Sequence, residues 1–516
     1  MDEDLKGMNF LMEPFYAPLF EALLKHVAEA PVGFHVPGHH SGQAMNLDLP
    51  VNEQTAHPSE YFHKIMQLDV TELSTTDDLH HPEASIQEAQ QLAAKTFGAD
   101  ETYFLVGGST SGNLALLLTL CEPDDIVIVQ RNVHKSVLNG LRLSGAKAVF
   151  LSPRIDKETG LALVPTLGQV EDALASYPEA KAVFLSNPNY YGMGVSLSSY
   201  VEAAHRYNVP ILVDEAHGAH YGFHEAFPNS SLSEGVDAVV QSAHKTLPTL
   251  TMGALLHVQG NRIPLNSLRE SLAMIQSSSP SFPILASIDI SRAMIDTLGP
   301  TLFDQSLRAV GSFRSWLRNQ GTTLCEAQYD ADTASVLQVD PLRVVLYDSS
   351  GQRSGFELQK LLEQHGCFAE MADPIYVVLV FGIQTSMQDI NKLQQAIETI
   401  SNSSRGTEQW PKGLDQHSMT DGFEWTSVQP VSFKKTAFKN KAIQRIPIQL
   451  AEGRLSAEMI TPYPPGIAIL YPGEKITAVM VNYIQYLSDA GAKFQGAIDP
   501  SLATISIFAE KADLPT

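Results

Sequence analysis

Apolar residues recur at helical spacing near the start of the chain. Leu19, Leu23 and Val27 fall within PFYAPLFEALLKHVAEA, where they mark one face of an amphipathic helix. The Gly/Pro/His-rich stretch GFHVPGHHSG follows and interrupts this pattern. The sequence therefore predicts an N-terminal helix and arm over residues 1–60.

Short apolar runs alternate with helical patterns over residues 61–300. The runs are TYFLV, DIVIVQ, KAVFLS (which occurs twice), PILVDE and DAVVQ. Continuous apolar strands are typical of a parallel sheet that helices cover on both faces. Because the strands alternate with helices such as SIQEAQQLAAKTFG, which would end at Gly98, this region predicts a doubly wound, mostly parallel α/β domain.

Two further regions complete the predicted organisation. Residues 301–400 again alternate between helices and strands such as RVVLYD and IYVVLVFG, which predicts a smaller α/β domain. The stretch SNSSRGTEQWPKGLDQ, residues 401–416, is polar and predicts a linker. We expect an α+β C-terminal domain to follow this linker, within residues 401–516.

Composition and charge narrow the class of function. The 516 residues are 44% hydrophobic and 18% charged, as in globular proteins of several domains. A net charge of −23 argues against a nucleic-acid partner, which requires clustered basic residues. It favours a cationic small molecule, although an acidic balance also simply maintains solubility.

The N-terminal sequence, the lengths of the apolar runs and the spacing of the cysteines predict a cytoplasmic location. The start, MDEDLKGMNF, lacks the basic and apolar segments of a signal peptide, and no apolar run approaches membrane-spanning length. The three cysteines are isolated, so neither a disulfide framework nor a CxxC metal motif is indicated. We therefore predict a cytoplasmic protein with no membrane partner.

Glycine and hydroxyl residues lie between the first strand and its helix. Gly107 and Gly108 precede Ser109, Thr110 and Ser111 in LVGGSTSGN. Free amides at a helix start, together with hydroxyl groups, suit a phosphate. The same residues also suit ordinary helix capping, so this turn alone does not define a site.

An aspartate ends the buried strand in VPILVDEAHGAHYG. A buried carboxylate requires a partner, and for Asp214 this is either the ring nitrogen of pyridoxal phosphate or the amides of the next helix. His217 and His220 also suggest metal ligands. However, no acidic residue stands beside them as in HExxH, so no metal site is predicted.

A lysine follows the next apolar strand in VDAVVQSAHKTLPTL. Lys245 stands just after Ser242 and His244, where the carboxyl ends of parallel strands collect ligands. A single lysine is more often a solvated surface residue. The order of hydroxyl turn, aspartate and lysine instead predicts a phosphate cradle, a partner for a ring nitrogen and a Schiff-base amine, which together hold pyridoxal phosphate.

The sequence resembles the fold-type-I, pyridoxal-phosphate-dependent Orn/Lys/Arg decarboxylases. The similarity extends from about Phe34 to Glu474. The sequence leaves no room for an N-terminal wing domain before this region, and in this it resembles the shorter, biosynthetic arginine decarboxylase type. His40-Ser41, Ala84-Ser85 and Ala468 depart from the family pattern. The segments that carry the resemblance are FHVPGHHSG, DVTELSTTDDLHHPEASIQEAQ, GGSTSGN, VHKSVLNGL, NPNYYGM, VDEAHGAHYGFH, SAHKTLP, SSSPSFPILASID and AEMITPYPPGIAILYPGE.

The resemblance implies roles for individual residues. Lys245 would hold the cofactor as a Schiff base, Asp214 would pair with its ring nitrogen, and His134 would stack on the ring opposite Ala216. His217 would line the site near the ring. The phosphate would lie near Ser109, Thr110, Ser111, Ser242 and His244.

The implied activity is decarboxylation of a basic amino acid. Conversion of arginine to agmatine for polyamine synthesis is favoured, with lysine and ornithine as alternatives. The distal cation of the substrate would meet Glu370, Asp373 or Glu474, although each also fits an exposed acidic loop or a helix cap. SSSPSFPIL, residues 277–285, has a family counterpart that reaches the neighbouring subunit, which implies a homodimer or an oligomer built from dimers.

Two other classes share part of this pattern. Another fold-type-I enzyme, such as an aminotransferase, shares the aspartate and lysine but lacks the YPPGI…PGE tail. A non-catalytic regulator would share the fold, but the intact Lys245, Asp214 and His134 argue against it.

Overall fold

A computed structural model describes most of the chain. It describes residues 14–49, 56–402, 429–434, 438–439, 441–463 and 466–509. The predicted linker at 401–416 lies outside the described residues, except for its first two positions, which end a helix. Among the described residues, no helix is both long and apolar enough to span a lipid bilayer.

The helices follow the predicted pattern through the first four hundred residues. They are α1 Pro18–Ala28, α2 Ser59–Leu68, α3 Ser85–Phe97, α4 Gly108–Leu120, α5 Lys135–Ser144, α6 Leu167–Ser176, α7 Ser198–His205, α8 Ala243–Thr246, α9 Leu265–Ile275, α10 Phe282–Leu298, α11 Thr301–Asn319, α12 Ala331–Ala334, α13 Gly355–Gln364, α14 Met387–Asn402 and α15 Ala478–Asp489. Short 3₁₀ helices lie at Gln43–Asn46, Ser231–Glu234 and Ile448–Leu450.

The strands include every apolar run identified above. They are β1 Glu101–Leu105, β2 Ile126–Gln130, β3 Lys147–Leu151, β4 Ala182–Ser186, β5 Met193–Val195, β6 Ile211–Asp214, β7 Ala238–Gln241, β8 Ala254–Val258, β9 Leu324–Glu326, β10 Leu337–Val339, β11 Arg343–Asp348, β12 Met371–Ala372, β13 Val377–Val380, β14 Val431–Ser432, β15 Ile443–Pro447, β16 Thr461–Pro462, β17 Phe494–Gln495 and β18 Thr504–Phe508.

The helix ends show why local sequence defines these elements. Thr166 and Gln169 form a capping box at the start of α6, and Ser354 and Glu357 form another at the start of α13. Helix α3 ends at Gly98, whose φ of 77° is left-handed, as the sequence predicted.

The large sheet carries the candidate site. Its strand order is β1-β8-β7-β6-β4-β2-β3-β14. Strands β3, β2, β4, β6 and β7 are mutually parallel, whereas β8 is antiparallel to β1 and β7, and β14 is antiparallel to β3. Val127 and Val129 pack into one core and Ile128 into the other, so the sheet is covered on both faces. The predicted doubly wound, mostly parallel α/β fold class is confirmed.

The smaller units differ from the predicted boundaries. A four-stranded antiparallel sheet, β12-β13-β11-β9, forms the smaller domain with α11, α13 and α14. Strand β10 pairs with β5 and thereby joins this domain to the larger one. Strand β14 belongs to the predicted C-terminal domain, yet it extends the large sheet. Helix α15 packs into a third core with β15 and β18.

A buried polar chain crosses the large sheet below its carboxyl edge. Thr102 contacts His257 Nδ1 at 2.8 Å, and His257 Nε2 contacts Gln241 Oε1 at 3.1 Å. Gln241 Nε2 donates to Glu215 Oε2 at 2.7 Å, and Ser231 donates to Oε1 through both its amide and its hydroxyl. Each member of the chain is buried and hydrogen-bonded, so the ends of β6 and β7 are held together.

Burial gives Glu215 an unusual titration. Desolvation raises the pKa of its carboxyl from 4.5 to about 7, although its hydrogen bonds oppose this shift. The folded protein therefore binds an additional proton between these pH values, and stability falls as pH rises through this window.

We expect the free energy of unfolding to fall from pH 5 to pH 8 by about 3 kcal/mol less in Glu215→Gln than in wild type, because the variant lacks the titrating carboxyl. Urea unfolding at each pH measures this. The exposed Glu179→Gln is the control, and equal pH dependence in wild type and Glu215→Gln would contradict the assignment.

Candidate active site

A cleft of about 480 Å³ opens where the parallel strands end. Asp214 ends β6, Gln130 ends β2, and Lys245 lies in α8 just after β7. This edge is where doubly wound sheets bind ligands. The lining residues are Ser109, Gln130, Asn132, His134, Ser186, Pro188, Asn189, Tyr190, Asp214, Ala216, His217, Lys245 and Ile467.

Lys245 presents a buried amine to this cleft. Its Nζ lies 2.9 Å from His217 Nε2 and 5.6 Å from the centre of the Tyr190 ring. Burial lowers the pKa of Lys245, although the negative charge of Asp214 opposes this. A lowered pKa favours the un-ionised amine, which is the form that reacts with a carbonyl group.

Asp214 is fixed by two hydrogen bonds. Its Oδ2 accepts from Asn113 Nδ2 at 2.8 Å, and its Oδ1 accepts from the Ala216 amide at 3.1 Å. Asn113 also donates to Ser136 Oγ at 3.0 Å. The carboxylate is thus oriented at the cleft, and it retains lone pairs that can accept a hydrogen bond from a protonated ring nitrogen.

His134 caps α5 and forms one wall of the cleft. Its Nδ1 accepts from the Ser136 amide at 3.2 Å and lies 2.8 Å from Ser136 Oγ. Because His134 Nδ1 accepts from the amide and therefore carries no proton, the Ser136 hydroxyl is the donor in this contact, and its oxygen accepts from Asn113. Burial lowers the pKa of His134 to about 4, so its ring is neutral at pH 7 and suits stacking.

The C-terminal region closes this wall. The Gly466 carbonyl accepts from the Lys135 amide at 3.0 Å, and Ile467 forms a β-bridge with His134. Gly466 has a φ of 92°, and a Cβ there would stand 3.0 Å from His134 Cδ2. Glycine is therefore required for this close approach.

Arg131 ties the same C-terminal segment to the large sheet. Its guanidinium donates to the carbonyls of Ala468 at 2.8 Å and Ile469 at 2.9 Å, and to both carboxylate oxygens of Glu474 at 2.9 and 3.0 Å. It also lies over the Tyr471 ring, 5.1 Å from its centre. We call this set of contacts the arginine clamp.

The predicted phosphate residues divide into two groups. Ser109 lines the cleft, and its Oγ accepts from Ser242 Oγ at 2.9 Å, whereas Ser242 itself is buried and lies outside the lining. Thr110 is exposed and Ser111 Oγ donates to the Gly108 carbonyl, and neither lines the cleft. His244 also lies outside the lining, with Nδ1 2.9 Å from the Gly253 carbonyl oxygen.

The three predicted substrate carboxylates lie in different surroundings. Glu370 is exposed, and its charge opposes the lowering of the Lys245 pKa, so it is electrostatically coupled to the cleft. Asp373 accepts from the Tyr191 hydroxyl at 2.6 Å and from two backbone amides. Glu474 belongs to the arginine clamp. Asp373 and Glu474 are thus already hydrogen-bonded within the protein, and the substrate role of the three carboxylates stays a prediction.

Sequence reasoning missed four residues that shape the site. Asn113 and Tyr190 lie inside the segments GGSTSGN and NPNYYGM, which carried the resemblance without a role for either residue. Ser136 follows His134 by two positions. Arg343, in RVVLYD, had no signal beyond its place in a predicted strand, yet its NH2 group donates to His217 Nδ1 at 2.8 Å.

Comparison with known proteins identifies the class. The sequence profile described as "Orn/Lys/Arg decarboxylase, major domain" matches residues 17–389, and the C-terminal domain of the same family matches residues 416–499. The chain therefore belongs to the Orn/Lys/Arg decarboxylase family. It is a pyridoxal-phosphate-dependent amino-acid decarboxylase, as its sequence predicted.

Several relatives align over nearly the whole chain. The Bacillus subtilis protein YaaO is 39% identical over 93% of this chain and 96% of its own length. The Bacillus subtilis arginine decarboxylase is 32% identical over 97% of this chain and 99% of its own length. The constitutive lysine decarboxylase of Escherichia coli has the same fold, with a TM-score of 0.74 and 20% identity over 96% of this chain and 82% of that structure.

The described side chains fit the expected cofactor. Lys245 offers an amine, Asp214 a fixed carboxylate and Ser109 a hydroxyl on the same cleft, and Ser242 donates to Ser109 from outside the lining. Among the described residues, no cluster of three or more His, Cys, Asp or Glu side chains suits a metal ion. The chemistry of this donor set therefore matches pyridoxal phosphate.

The arginine clamp makes a testable contribution to stability. Arg131→Met would leave the buried Glu474 carboxylate without its cation, which should lower the free energy of unfolding by about 3–5 kcal/mol. Urea unfolding of Arg131→Met beside the exposed Arg142→Met measures this. The double variant Arg131→Met/Glu474→Gln should recover part of the loss. Equal stability of the two single variants would contradict the clamp.

Proposed function

We propose that this protein decarboxylates a basic amino acid, with arginine favoured over lysine and ornithine, and supplies the amine to polyamine synthesis. The observation that carries the proposal is the convergence of Lys245, Asp214 and His134 on one cleft. The preference for arginine is supported by the relatives named arginine decarboxylase, which are 30–32% identical. The relatives named lysine decarboxylase are 22–24% identical.

Five side chains have the main roles in this proposal. Lys245 would hold the cofactor through its Nζ, and Asp214 would keep the ring nitrogen protonated. His134 would stack on the ring opposite Ala216. Ser109 and Ser242 would hold the phosphate, with Thr110, Ser111 and His244 nearby.

The chemistry divides between the cofactor and the chain. When bound, pyridoxal phosphate accepts the electron pair that remains on Cα as CO2 departs. The residues that line the cleft would orient the substrate so that the bond to its carboxylate is the one that breaks. Lys245 Nζ, or a histidine beside it such as His217, then donates the proton that replaces the carboxylate on Cα.

Glu370 is the carboxylate that best suits the distal cation of the substrate. Unlike Asp373 and Glu474, it has no protein partner among the described hydrogen bonds and ion pairs, and its charge is felt at Lys245 and at His244. An exposed carboxylate whose charge is felt at the cleft can attract a guanidinium and accept its paired N–H groups.

We also infer that the working unit is a homodimer. Residues of the N-terminal arm and α2 leave apolar side chains in solvent, and such patches commonly mark protein interfaces. They are Phe34, Val36, Tyr61, Phe62 and Ile65. Sedimentation equilibrium of the full chain tests this inference, because the mass of a single chain, 56.3 kDa, would contradict it.

The role of Lys245 is tested by its removal. Lys245→Ala should lower kcat/KM by roughly 10³-fold or more, as expected for a group that acts in the chemical step. It should also abolish covalent attachment of the cofactor. Borohydride reduction followed by peptide mass spectrometry measures attachment directly. The exposed Lys360→Ala is the control, and retained turnover in Lys245→Ala would refute the assignment.

The substrate is tested by an amine-product assay with arginine, lysine and ornithine offered side by side. We expect agmatine to form with the highest kcat/KM, and predominance of cadaverine or putrescine would overturn the arginine preference. A keto acid formed without CO2 would indicate an aminotransferase instead. No product from any of the three would favour a regulator.

Glu370→Gln tests recognition of the distal cation. We expect KM for the preferred substrate to rise about tenfold with a smaller change in kcat, since loss of one charge-assisted hydrogen bond costs about 1.5 kcal/mol. Glu363→Gln, an exposed acid on α13, is the matched control. Equal KM values in the two variants would remove Glu370 from the substrate site.

A further inference from the structure

A line of hydrogen bonds and ion pairs leads from Lys245 into the smaller domain. Lys245 Nζ lies 2.9 Å from His217 Nε2, and His217 Nδ1 accepts from Arg343 NH2 at 2.8 Å. Arg343 Nε lies 3.4 Å from Asp340 Oδ2, which also lies 3.2 Å from His220 Nε2. Beyond Lys245, every member is nearly inaccessible to solvent, and Arg343 is 2% exposed.

The fold makes room for Arg343 in this position. The arginine begins β11 of the smaller sheet, yet its NH1 donates to the Tyr190 carbonyl of the large domain at 3.1 Å. Gly192 faces the arginine side chain, and a Cβ there would stand 2.6 Å from Arg343 Cδ. The Asp340 amide donates to the Gly192 carbonyl at 2.9 Å, so the two domains are joined around this side chain.

The chemistry of arginine fixes the direction of the hydrogen bonds. A guanidinium only donates, so His217 Nδ1 must accept and carries no proton. A neutral His217 then carries its proton on Nε2, the atom that faces Lys245. A donor at Nε2 can form this bond only if Lys245 Nζ offers a lone pair, which an ammonium group lacks.

We propose that Arg343 is a positioning residue, which holds His217 with its Nε2 proton directed at Lys245 Nζ and so maintains the lysine as a hydrogen-bond acceptor. This inference rests on the role proposed for Lys245. In this proposal, Arg343 of the smaller domain determines which ring nitrogen of His217 carries the proton, and this in turn determines whether Lys245 is ionised.

The electrostatic surroundings agree with this arrangement. Burial lowers the pKa of His217 well below its usual value, and the charges of Lys245 and Arg343 lower it further. The positive charge of Arg343 also favours the un-ionised form of Lys245, whereas Asp214 and Glu370 oppose it. The ionisable side chains that face Lys245 or lie beside it are His134, Tyr190, Asp214, His217, His244, Arg343 and Glu370.

The experiment measures the amine itself. Cofactor-free, full-length protein is labelled with trinitrobenzenesulfonate at a series of pH values, and mass spectrometry quantifies the peptide that contains Lys245. We expect Arg343→Met to raise the pH of half-maximal labelling by about one unit, because a nearby cation and a directed hydrogen bond are both lost. Arg343→Lys, which keeps a cationic donor, should fall closer to wild type.

The matched control is Arg353→Met. Arg353 belongs to the same domain but pairs with Asp348 and the Ile400 carbonyl instead of His217. Its labelling profile should coincide with that of wild type. A wild-type profile in folded Arg343→Met, or an equal shift in Arg353→Met, would overturn the proposal.

A second measurement needs no arginine variant. Nitrogen NMR of the wild-type full chain, labelled with ¹⁵N-histidine and assigned through His217→Gln, should show a bare Nδ1 and a protonated Nε2 at neutral pH. A proton on Nδ1 would overturn the proposal. Neither measurement depends on turnover. A failed amine-product assay would therefore refute the proposed function without changing the outcome of the labelling and NMR experiments on Arg343 and His217.

Discussion

Asp214 lies at the end of a buried strand with only 6% of its surface exposed, and a carboxylate in that position must be hydrogen-bonded to remain there. Asn113 supplies one bond and also contacts Ser136, which in turn orients His134. The hydrogen bonds that Asp214 requires therefore also fix the position of His134, which forms one wall of the cleft. Burial, against the opposing charge of Asp214, keeps the histidine ring neutral and able to stack on a flat cofactor.

A second requirement is that three separate regions meet at the cleft. The large domain supplies Lys245 and Asp214 and the C-terminal region supplies Ile467, whereas the smaller domain supplies Arg343, which contacts the lining residue His217 but does not itself line the cleft. Strand β10 pairs with β5 at one junction, and the arginine clamp secures the other. The cleft is thus a property of the assembled chain and not of the large sheet alone.

Local sequence predicted much of the fold and part of the site. Continuous apolar runs identified the parallel strands because both faces of that sheet are buried, and the placement of Asp214 and Lys245 at strand ends followed from this. Contacts between distant segments could not be predicted in this way. Glu474 and Arg131 are 343 positions apart, and nothing in the local pattern of either indicates their pairing. The edge strand β14 was missed for the same reason, since two residues carry no periodicity.

The contribution of Ile467 and Gly466 has a consequence for how the protein matures. The hydrogen bond from Arg131 to the Ala468 carbonyl spans 337 positions, so the wall beside His134 leaves the ribosome long after Arg131 itself. The large sheet can form earlier, because its parallel strands all lie well before that point. A nascent chain would then expose its amine and carboxylate in an open groove until the segment that contains Gly466 and Ile467 has been synthesised and closes the wall beside His134.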